Sequence, residues 1–451
     1  MAENELSRRR HVLLICALSI FVSTLSTIVA KLLLLGIQLF TNLFYFQQFS
    51  FEEKAPGDNT LGWWAILVPT VGGLIVGVMA RWGSKAIRGH GIPEAMENIL
   101  LRESRIPRRI TFLKPLSSAI AIGSGGPFGA EGPIIATGGA LGSWLGQVLP
   151  ITAYERKILL AAGAASGMAA IFGTPLAAVM IAIELLLFEF RAKSFVPVAL
   201  ATVVATTLRS IFIGTDSFFH MPAIVSTDMP NLVVFLLFGV LMGFLCVLVT
   251  KSIYWIEDHF EKIPVHWMWW PALGGVVVGI IGLIEPRSLG VGYNNITMSL
   301  SGSLTIGAAI SILVWKFLSW AIALGSGTSG GTLAPILTLG SAFGFIFGAR
   351  LSELFPNLHV DPSAMALVGM AALFAGSSRA LLTSVLFALE ATKQPLGLVP
   401  VLGCCSIAYI VSTLTMKNSI MTEKIVRRGL HVPYEYYPSQ RRSMMTEKDE
   451  P

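Results

Sequence analysis

Residues 126–133 read GPFGAEGP, and they place one carboxylate, Glu131, among glycines and prolines inside an apolar stretch. Between Lys114 and Glu155 no other side chain carries a formal charge. A charge in such a setting is costly unless the fold supplies partners for it. The rest of the chain must therefore supply partners for Glu131.

The composition indicates an integral membrane protein. Of 451 residues, 54% are hydrophobic and 13% are charged, whereas about a quarter of the residues of a soluble domain are charged. Apolar windows of roughly 20 residues, the length that spans a bilayer, recur along the chain. Six of these windows are continuous, at 12–40, 62–80, 232–255, 269–285, 305–324 and 396–415, and three are broken by Gly and Pro, at 116–149, 158–188 and 326–348. The sequence predicts an all-α, polytopic membrane protein.

The positive charge is placed at membrane edges. The net charge of +6 raises nucleic acid as a partner, but the basic residues cluster at 8–10, 102–109 and 427–431, before, between or after apolar runs. Such clusters mark the cytoplasmic side of a membrane protein. We therefore expect no nucleic-acid partner, a cytoplasmic N-terminal segment at 1–11 and a cytoplasmic tail at 427–451. The first apolar run is too long for the core of a signal peptide, which predicts a retained first helix.

The cysteines do not suggest a metal site. Cys16, Cys246, Cys404 and Cys405 all lie in apolar segments without the spacing of metal ligands. We expect them to be buried as small hydrophobic residues, and we expect no cofactor.

The chain contains an internal repeat. Residues 131–147 resemble 333–349, with Pro133 matching Pro335, and residues 163–185 resemble 369–391. Two membrane repeats at 12–210 and 231–426, joined by a polar connector at 211–230, account for this similarity. In transporters, repeats with Gly- and Pro-interrupted helices often form a binding site where they meet.

Three glycine-rich stretches precede apolar segments that could begin helices. They read GHGIPEA (89–95), GPFGAEGPI (126–134) and GSGTSGGTLAP (325–335). The first turn of a helix offers unpaired N–H groups and about half a positive charge, which suits an anion. Glycine allows the backbone to approach closely. The stretches thus predict anion coordination within the membrane, although glycines that merely allow close helix packing are the alternative.

The same three stretches resemble, in order, the GSGIPE, G-K/R-E-G-P and GSGxxGGxFxP motifs of the CLC chloride channels and proton-coupled chloride transporters. The resemblance extends from about residue 20 to 425. It implies two inverted-topology repeats of tilted and broken helices, without a large regulatory tail. It also implies a homodimer in the lipid bilayer in which each subunit carries chloride, with protons as a second candidate substrate. The expected location is the plasma (inner) membrane of a prokaryote, as a multi-pass protein.

The resemblance assigns a role to particular residues. Glu131 matches the gating glutamate, which blocks an anion site when charged and swings away when protonated. The amides of Thr332 and Leu333 match positions that coordinate the central anion, and Leu333 replaces the usual Phe. The implied anion-binding residues are His90, Gly91, Ile92, Gly129, Ala130, Thr332, Leu333 and Met421.

Three departures from the family pattern affect the expected function. His90 stands where chloride-selective members usually have a serine that binds the anion, and histidine could donate an N–H there or be only a local cap. The pore tyrosine has no evident match, and Met421 is the nearest candidate. Leu185 occupies the position of the inner proton-transfer glutamate, which weakens the case for proton coupling. The neighbouring Glu184 is expected to be structural.

Two functions of other classes compete with anion transport. An intramembrane protease could use Ser166 or Ser326 as nucleophile and His90 as base, which requires a hydrogen bond between them. A non-transporting scaffold would leave the three glycine-rich helix starts apart. Within anion transport, Leu185 slightly favours an uncoupled channel, and the intact Glu131 keeps a proton-coupled antiporter as the alternative.

Overall fold

The computed structural model describes residues 2–212, 214–224, 228–430 and 432, with side chains from residue 11 onward. The basic side chains at 8–10 and the tail beyond 432 lie outside this description.

The described chain is mostly helical, and its β-type pairing consists of two isolated bridges between loops. The α-helices are α1 (Ala2–Phe46), α2 (Leu67–Trp82), α3 (Ile92–Leu101), α4 (Ile110–Gly123), α5 (Glu131–Val148), α6 (Ala153–Phe172), α7 (Pro175–Ile181), α8 (Ala192–Phe212), α9 (Met229–Glu261), α10 (Trp270–Ile284), α11 (Tyr293–Leu300), α12 (Ile306–Gly325), α13 (Leu333–Leu354), α14 (Pro362–Ser378), α15 (Leu381–Thr392), α16 (Leu398–Thr415) and α17 (Glu423–Arg427). A π-helical turn, Ala182–Leu187, continues α7. Short 3₁₀ turns are Pro56–Asp58, Gly62–Ile66, Lys85–Ile87, Trp267–Trp269, Pro286–Ser288, Pro356–Leu358 and Pro395–Gly397.

Eight helices in the described part of the chain are long and apolar enough to cross a membrane. Each of the six continuous apolar windows coincides with one of them, which confirms the polytopic prediction. The broken windows are interrupted where glycine and proline occur, and the window 116–149 divides into α4 and α5. The apolar windows missed α8, because Lys193 and Arg209 shorten its uncharged run to 15 residues.

Glycines allow matched pairs of helices to pack closely in the two halves. A Cβ at Gly138 of α5 would lie 2.2 Å from the carbonyl oxygen of Gly163 of α6. In the second half, a Cβ at Gly340 of α13 would lie 2.5 Å from the carbonyl oxygen of Gly369 of α14. Small residues permit such backbone contact between membrane helices. At these positions the packing role of glycine therefore applies, and it is repeated.

Two carboxylates, one from each half, cap the start of a helix in the opposite half. Glu184 accepts hydrogen bonds from the N–H groups of Leu382 and Thr383, both at 3.0 Å, at the start of α15. Glu390, which matches Glu184 in the repeat, accepts from the second and third residues of α7 at 3.0 and 2.8 Å. Each half thus caps a helix of the other, as a two-fold relation between them requires.

Replacing Gly142 by alanine tests the close packing of α5 on α6. Its Cβ would lie 2.0 Å from the carbonyl oxygen of Leu159, so we expect a loss of about 1–3 kcal/mol, measured as a lower thermal midpoint in detergent. Gly307→Ala is the control, because a Cβ there meets nothing within 4 Å. Equal midpoints for the two variants would contradict the packing role.

Candidate anion-binding site

Glu131 is the first residue of α5 and is fully buried. The turn before it, 124–130, follows the end of α4, and Gly125 adopts φ of +96°, which favours glycine. The first N–H groups of a helix have no carbonyl partners within that helix. The structure therefore places the Glu131 carboxyl group beside a helix start, inside the protein.

Backbone hydrogen bonds join the three glycine-rich stretches. Gly129 donates to the Gly331 carbonyl at 3.2 Å, and Gly331 donates back to the Gly129 carbonyl at 2.9 Å. Gly89 donates to the Thr328 carbonyl, and Gly330 donates to the Gly89 carbonyl, both at 3.4 Å. The helix starts of α3, α5 and α13 therefore converge, contrary to the expectation for a scaffold.

The contacts between these loops exclude side chains at two positions. A Cβ at Gly132 would lie 2.1 Å from the His90 carbonyl oxygen, and one at Gly91 would lie 2.4 Å from the Gly132 carbonyl oxygen. Gly91 also has φ of +96°. Glycine is required here because one motif lies directly against the backbone of another.

The two oxygens of Glu131 have different surroundings. Oε1 accepts a hydrogen bond from the Tyr293 hydroxyl at 3.0 Å. Oε2 is buried without a hydrogen-bond partner and lies 3.0 Å from the point that a Gly331 Cβ would occupy. Lys316 interacts with Glu131 electrostatically, but among the described residues no cation forms an ion pair with it. The carboxyl group thus occupies a space between joined loops and is only partly satisfied there.

Two buried lysines fasten the loops in the same way in each half. Lys114 donates to the carbonyl oxygens of Ile87 at 2.8 Å and Gly89 at 2.7 Å. Lys316 makes the matching bonds in the second half, to Ser288 at 3.0 Å and Gly290 at 2.6 Å. Backbone carbonyls satisfy these charges, as a buried cation in a membrane protein requires.

The predicted anion-binding residues fall at the starts of the converging helices, with one exception. His90 is buried with its Nδ1 unpartnered, and Thr332 precedes α13 with its hydroxyl buried and unpartnered. Buried polar groups without hydrogen-bond partners are typical of a site that binds a polar ligand. The residues that the structure brings into the joined loops are His90, Gly91, Ile92, Gly129, Ala130, Glu131, Thr332 and Leu333.

Met421 is positioned separately. It is buried in the turn between α16 and α17, where Ile420 donates to the Ser377 carbonyl at 2.9 Å. The Tyr254 hydroxyl donates to the Ile420 carbonyl at 2.8 Å. Met421 is therefore placed through α14 and α9 rather than through the three loops.

A fourth glycine-rich loop of the same kind, which the three motifs did not predict, also begins a helix. Residues 290–296 read GVGYNNI, 201 positions after GHGIPEA, and begin α11. Gly290 donates to the Gly125 carbonyl at 3.0 Å, which joins this loop to the one that carries Glu131. The loop could have been predicted from the internal repeat, because it lies 201 positions after GHGIPEA. The hydrogen bond from Tyr293 to Glu131 could not, because no local sequence pattern marks it.

The geometry does not support a Ser–His dyad. The Ser166 hydroxyl donates to the Ala162 carbonyl at 2.7 Å, and the Ser326 hydroxyl donates to the Ala323 carbonyl at 2.7 Å. The Ser166 hydroxyl is satisfied within α6 and the Ser326 hydroxyl by the last turn of α12, and neither is hydrogen-bonded to His90. A nucleophile and its base must be within hydrogen-bond reach.

A model of the voltage gated chloride channel family matches residues 72–413 of the chain. The chain belongs to this family. Membership confirms the resemblance of the three glycine-rich stretches, and with the eight apolar helices it establishes an integral, multi-pass membrane protein.

Two relatives in the family show the range of functions that their names describe. An H(+)/Cl(-) exchange transporter ClcA from Vibrio parahaemolyticus is 32% identical over 75% of this chain and 74% of its own. Chloride channel protein CLC-f from Arabidopsis thaliana is 32% identical over 77% of this chain and 47% of its own.

The fold is also that of solved structures in the family. The crystal structure of a slow cyanobacterial Cl⁻/H⁺ antiporter superimposes with a TM-score of 0.81 over 93% of this chain and 98% of the other, at 24% identity. This likeness shows the CLC fold with its two inverted-topology repeats.

Leu185 is the residue that the sequence resemblance matches to the inner glutamate of the family. Leu185 is buried in the π-helical turn, while the adjacent Glu184 accepts hydrogen bonds from α15, including one from the Thr383 hydroxyl at 2.6 Å. These contacts agree with the structural role expected of Glu184.

Glu184→Gln separates a structural role from a transport role. One amide oxygen cannot accept all the bonds that the carboxylate accepts, so we expect a loss of about 1–3 kcal/mol as a lower thermal midpoint, with transport per folded molecule retained. Glu353→Gln, at an exposed ion pair, should leave both unchanged. Unaltered stability together with lost transport would overturn the structural assignment.

Proposed function

We propose that the protein transports chloride across the membrane through a pathway that Glu131 gates. The observation that carries the proposal is the position of the Glu131 carboxyl group, fully buried between loops that join the starts of α3, α5 and α13. A carboxylate and a halide ion carry the same charge, and both are stabilised by N–H groups and helix dipoles. A site that stabilises the Glu131 carboxylate therefore also suits a chloride ion.

The gating step follows from this equivalence. Charged Glu131 occupies the space against Gly129 and Gly331 and excludes an anion from it. When Glu131 is protonated, its attraction to the surrounding N–H groups weakens, because hydrogen bonds to a charged acceptor are roughly twice as strong as those to a neutral one. The side chain then leaves and a chloride ion takes its place. Backbone dipoles attract the anion without a contacting lysine or arginine that would hold it too tightly to leave.

The other anion contacts are assigned along the same path. The amides of Ile92 in α3, of Ala130 before α5, and of Thr332 and Leu333 at the start of α13 are the proposed donors. Gly91 and Gly129 line the same place without donating, because the Gly91 N–H is bonded to Glu94 at 2.7 Å and the Gly129 N–H to the Gly331 carbonyl at 3.2 Å. His90 adds a ring N–H from a buried position, and Met421 serves as apolar cover on the inner side. No cofactor is needed for this function.

Proton coupling is the form of transport that we favour. Glu131 takes up a proton each time it releases the site, so opening is linked to proton movement. The exchange activity in the name of the Vibrio relative supports the same assignment. Uncoupled conduction is the second candidate, because the inner position that could pass the proton onward holds the buried, apolar Leu185.

We propose that the working unit is a homodimer in a bacterial inner membrane. All the proposed site residues come from one chain, so each subunit would have its own pathway. The family resemblance and the bacterial relatives support this assembly and location.

Reconstitution in liposomes with opposed chloride and proton gradients tests the function. We expect chloride flux and a reversal potential that moves with the proton gradient, as coupled exchange requires. A reversal potential fixed by chloride alone would establish the uncoupled candidate, and the absence of chloride flux from folded protein would overturn the proposal.

Glu131→Gln tests the gate. The amide imitates the protonated side chain, so we expect chloride flux that no longer rises as pH falls and that is uncoupled from protons. Glu52→Gln, at an exposed position, should behave as the wild type does. Unchanged flux and unchanged pH response in Glu131→Gln would exclude the gating role.

His90→Ser tests the contribution of the histidine to anion selection. Replacing one ring donor by a hydroxyl should change the bromide-to-chloride and nitrate-to-chloride permeability ratios by about two- to tenfold, the range of one hydrogen bond. His259→Ser is the control, because His259 lies near the end of α9. Identical ratios in His90→Ser and wild type would show that His90 is only a local structural residue.

A further inference from the structure

The hydroxyl of Tyr293 is the side-chain hydrogen-bond donor to Glu131 in the described part of the chain. The OH···Oε1 distance is 3.0 Å. The two residues lie 162 positions apart and begin two different helices, α11 and α5, one in each half. A donor aimed at a carboxylate stabilises the charged form over the neutral one. Tyr293 therefore favours the charged, blocking state of Glu131 over the protonated one.

An aromatic cluster holds the Tyr293 ring in place. We define it as Phe172, Phe218, Phe219, Tyr293 and Phe387. The Tyr293 ring centroid is 5.1 Å from that of Phe218, 5.9 Å from that of Phe172 and 6.1 Å from that of Phe219, all edge-on. Phe387 packs on Phe172 at 4.9 Å. Edge-on packing of this kind fixes ring orientation, so the hydroxyl has little freedom to turn away from Glu131.

Two members of this cluster come from the connector between the halves. Phe218 and Phe219 belong to residues 211–230, and their rings pack on one another at 4.9 Å. Phe219 is fully buried, and its N–H donates to the Ala391 carbonyl at 2.9 Å at the end of α15. The connector is thus fastened into the protein next to the gate, and it supports the residue that holds Glu131.

No other titratable or charged side chain in the described part of the chain makes a hydrogen bond or ion pair with Glu131. Lys316 of α12 acts on Glu131 electrostatically while donating to the carbonyls of Ser288 and Gly290. The Ala334 amide of α13 also faces the carboxyl group. The remaining titratable or charged side chains described on helices packed against α5 make no hydrogen bond or ion pair with Glu131; they are His11, Cys16, Lys31 and Tyr45 of α1, Glu94 and Glu97 of α3, Lys114 of α4, Tyr154, Glu155, Arg156 and Lys157 of α6, and Arg350 and Glu353 of α13.

We propose that Tyr293 is a positioning residue of the gate, which holds Glu131 in the blocking position through its hydroxyl and is itself held by the aromatic cluster. The proposal rests on the gating role of Glu131 put forward above. Loss of the donor makes the charged, blocking form less favourable, so protonation and release occur at a higher pH. The hydroxyl thereby sets the pH at which the pathway opens.

Tyr293→Phe tests this assignment, because it keeps the ring in the cluster and removes only the hydroxyl. We expect the pH of half-maximal chloride flux to rise by about one unit, which corresponds to a tenfold change in the protonation equilibrium, with the maximal flux at low pH unchanged. Tyr45→Phe is the matched control. The buried Tyr45 hydroxyl donates to the Ser124 carbonyl at 3.0 Å rather than to Glu131, so its removal should leave the midpoint where it is.

The double variant Tyr293→Phe, Glu131→Gln distinguishes this proposal from the gating proposal. Once Glu131 cannot ionise, removing the Tyr293 hydroxyl should cause no further change in flux or pH response. If Glu131→Gln removes the pH response while Tyr293→Phe leaves the midpoint at the wild-type value, the Tyr293 proposal is wrong and the gate stands. If Glu131→Gln itself keeps the wild-type pH response, the gating proposal fails. A shift in Tyr293→Phe that persists in the double variant would show a structural effect unrelated to Glu131.

Phe218→Leu tests the supporting role of the connector with a side chain that still fills apolar space. We expect a shift of the midpoint in the same direction as that of Tyr293→Phe, but smaller, because the hydroxyl remains and is held less firmly. A midpoint equal to that of the wild type, in protein that retains its thermal stability, would show that Phe218 does not help to hold Tyr293.

Discussion

The structure depends on keeping one carboxyl group inside a membrane protein without a cation in contact with it. Glu131 is fully buried, and an unpaired charge at such a depth costs several kcal/mol or more. Converging helix starts and one phenol supply the compensation, which requires backbone to meet backbone. The glycines at 91, 132 and 331 follow from this requirement, because a Cβ at any of them would lie 3.0 Å or less from another loop or from the carboxyl group itself.

The internal repeat produces this convergence of helix starts, but the two halves contribute different side chains to the site. Lysines at 114 and 316 fasten equivalent loops, and carboxylates at 184 and 390 cap each other's half. At the site itself the halves differ. Glu131 corresponds to Leu333 in the repeat, 202 positions later, and Tyr293 corresponds to Ile92, 201 positions earlier. One half thus provides the carboxyl group and the other provides its donor, so the duplicated frame supports the single gate that we propose at the junction.

Much of the fold and part of the site could be predicted from the sequence, because both leave local traces. Hydropathy identified the long helices, and glycine-rich stretches marked the helix starts that meet at Glu131. Helix α8 was missed because Lys193 and Arg209 interrupt its apolar run. Tyr293 and the aromatic residues of the connector were missed for another reason: their importance comes from contacts across the two halves, and neither helical period nor motif spacing reports which distant side chains touch. The connector was predicted to be a polar link, yet Phe219 is fully buried and packs on Tyr293.

The central claim is that an anion and the Glu131 carboxyl group compete for one place between the joined loops. The most direct measurement is anomalous X-ray diffraction from crystals of Glu131→Gln grown in bromide, compared with the wild type at neutral pH in the same salt. The account predicts a bromide peak in the variant beside Gly129 and Gly331, within hydrogen-bonding distance of the amides at the start of α5 or α13, and none at that place in the wild type. Bromide at that position with the Glu131 side chain still in place, or its absence there in a variant that conducts bromide, would contradict the account.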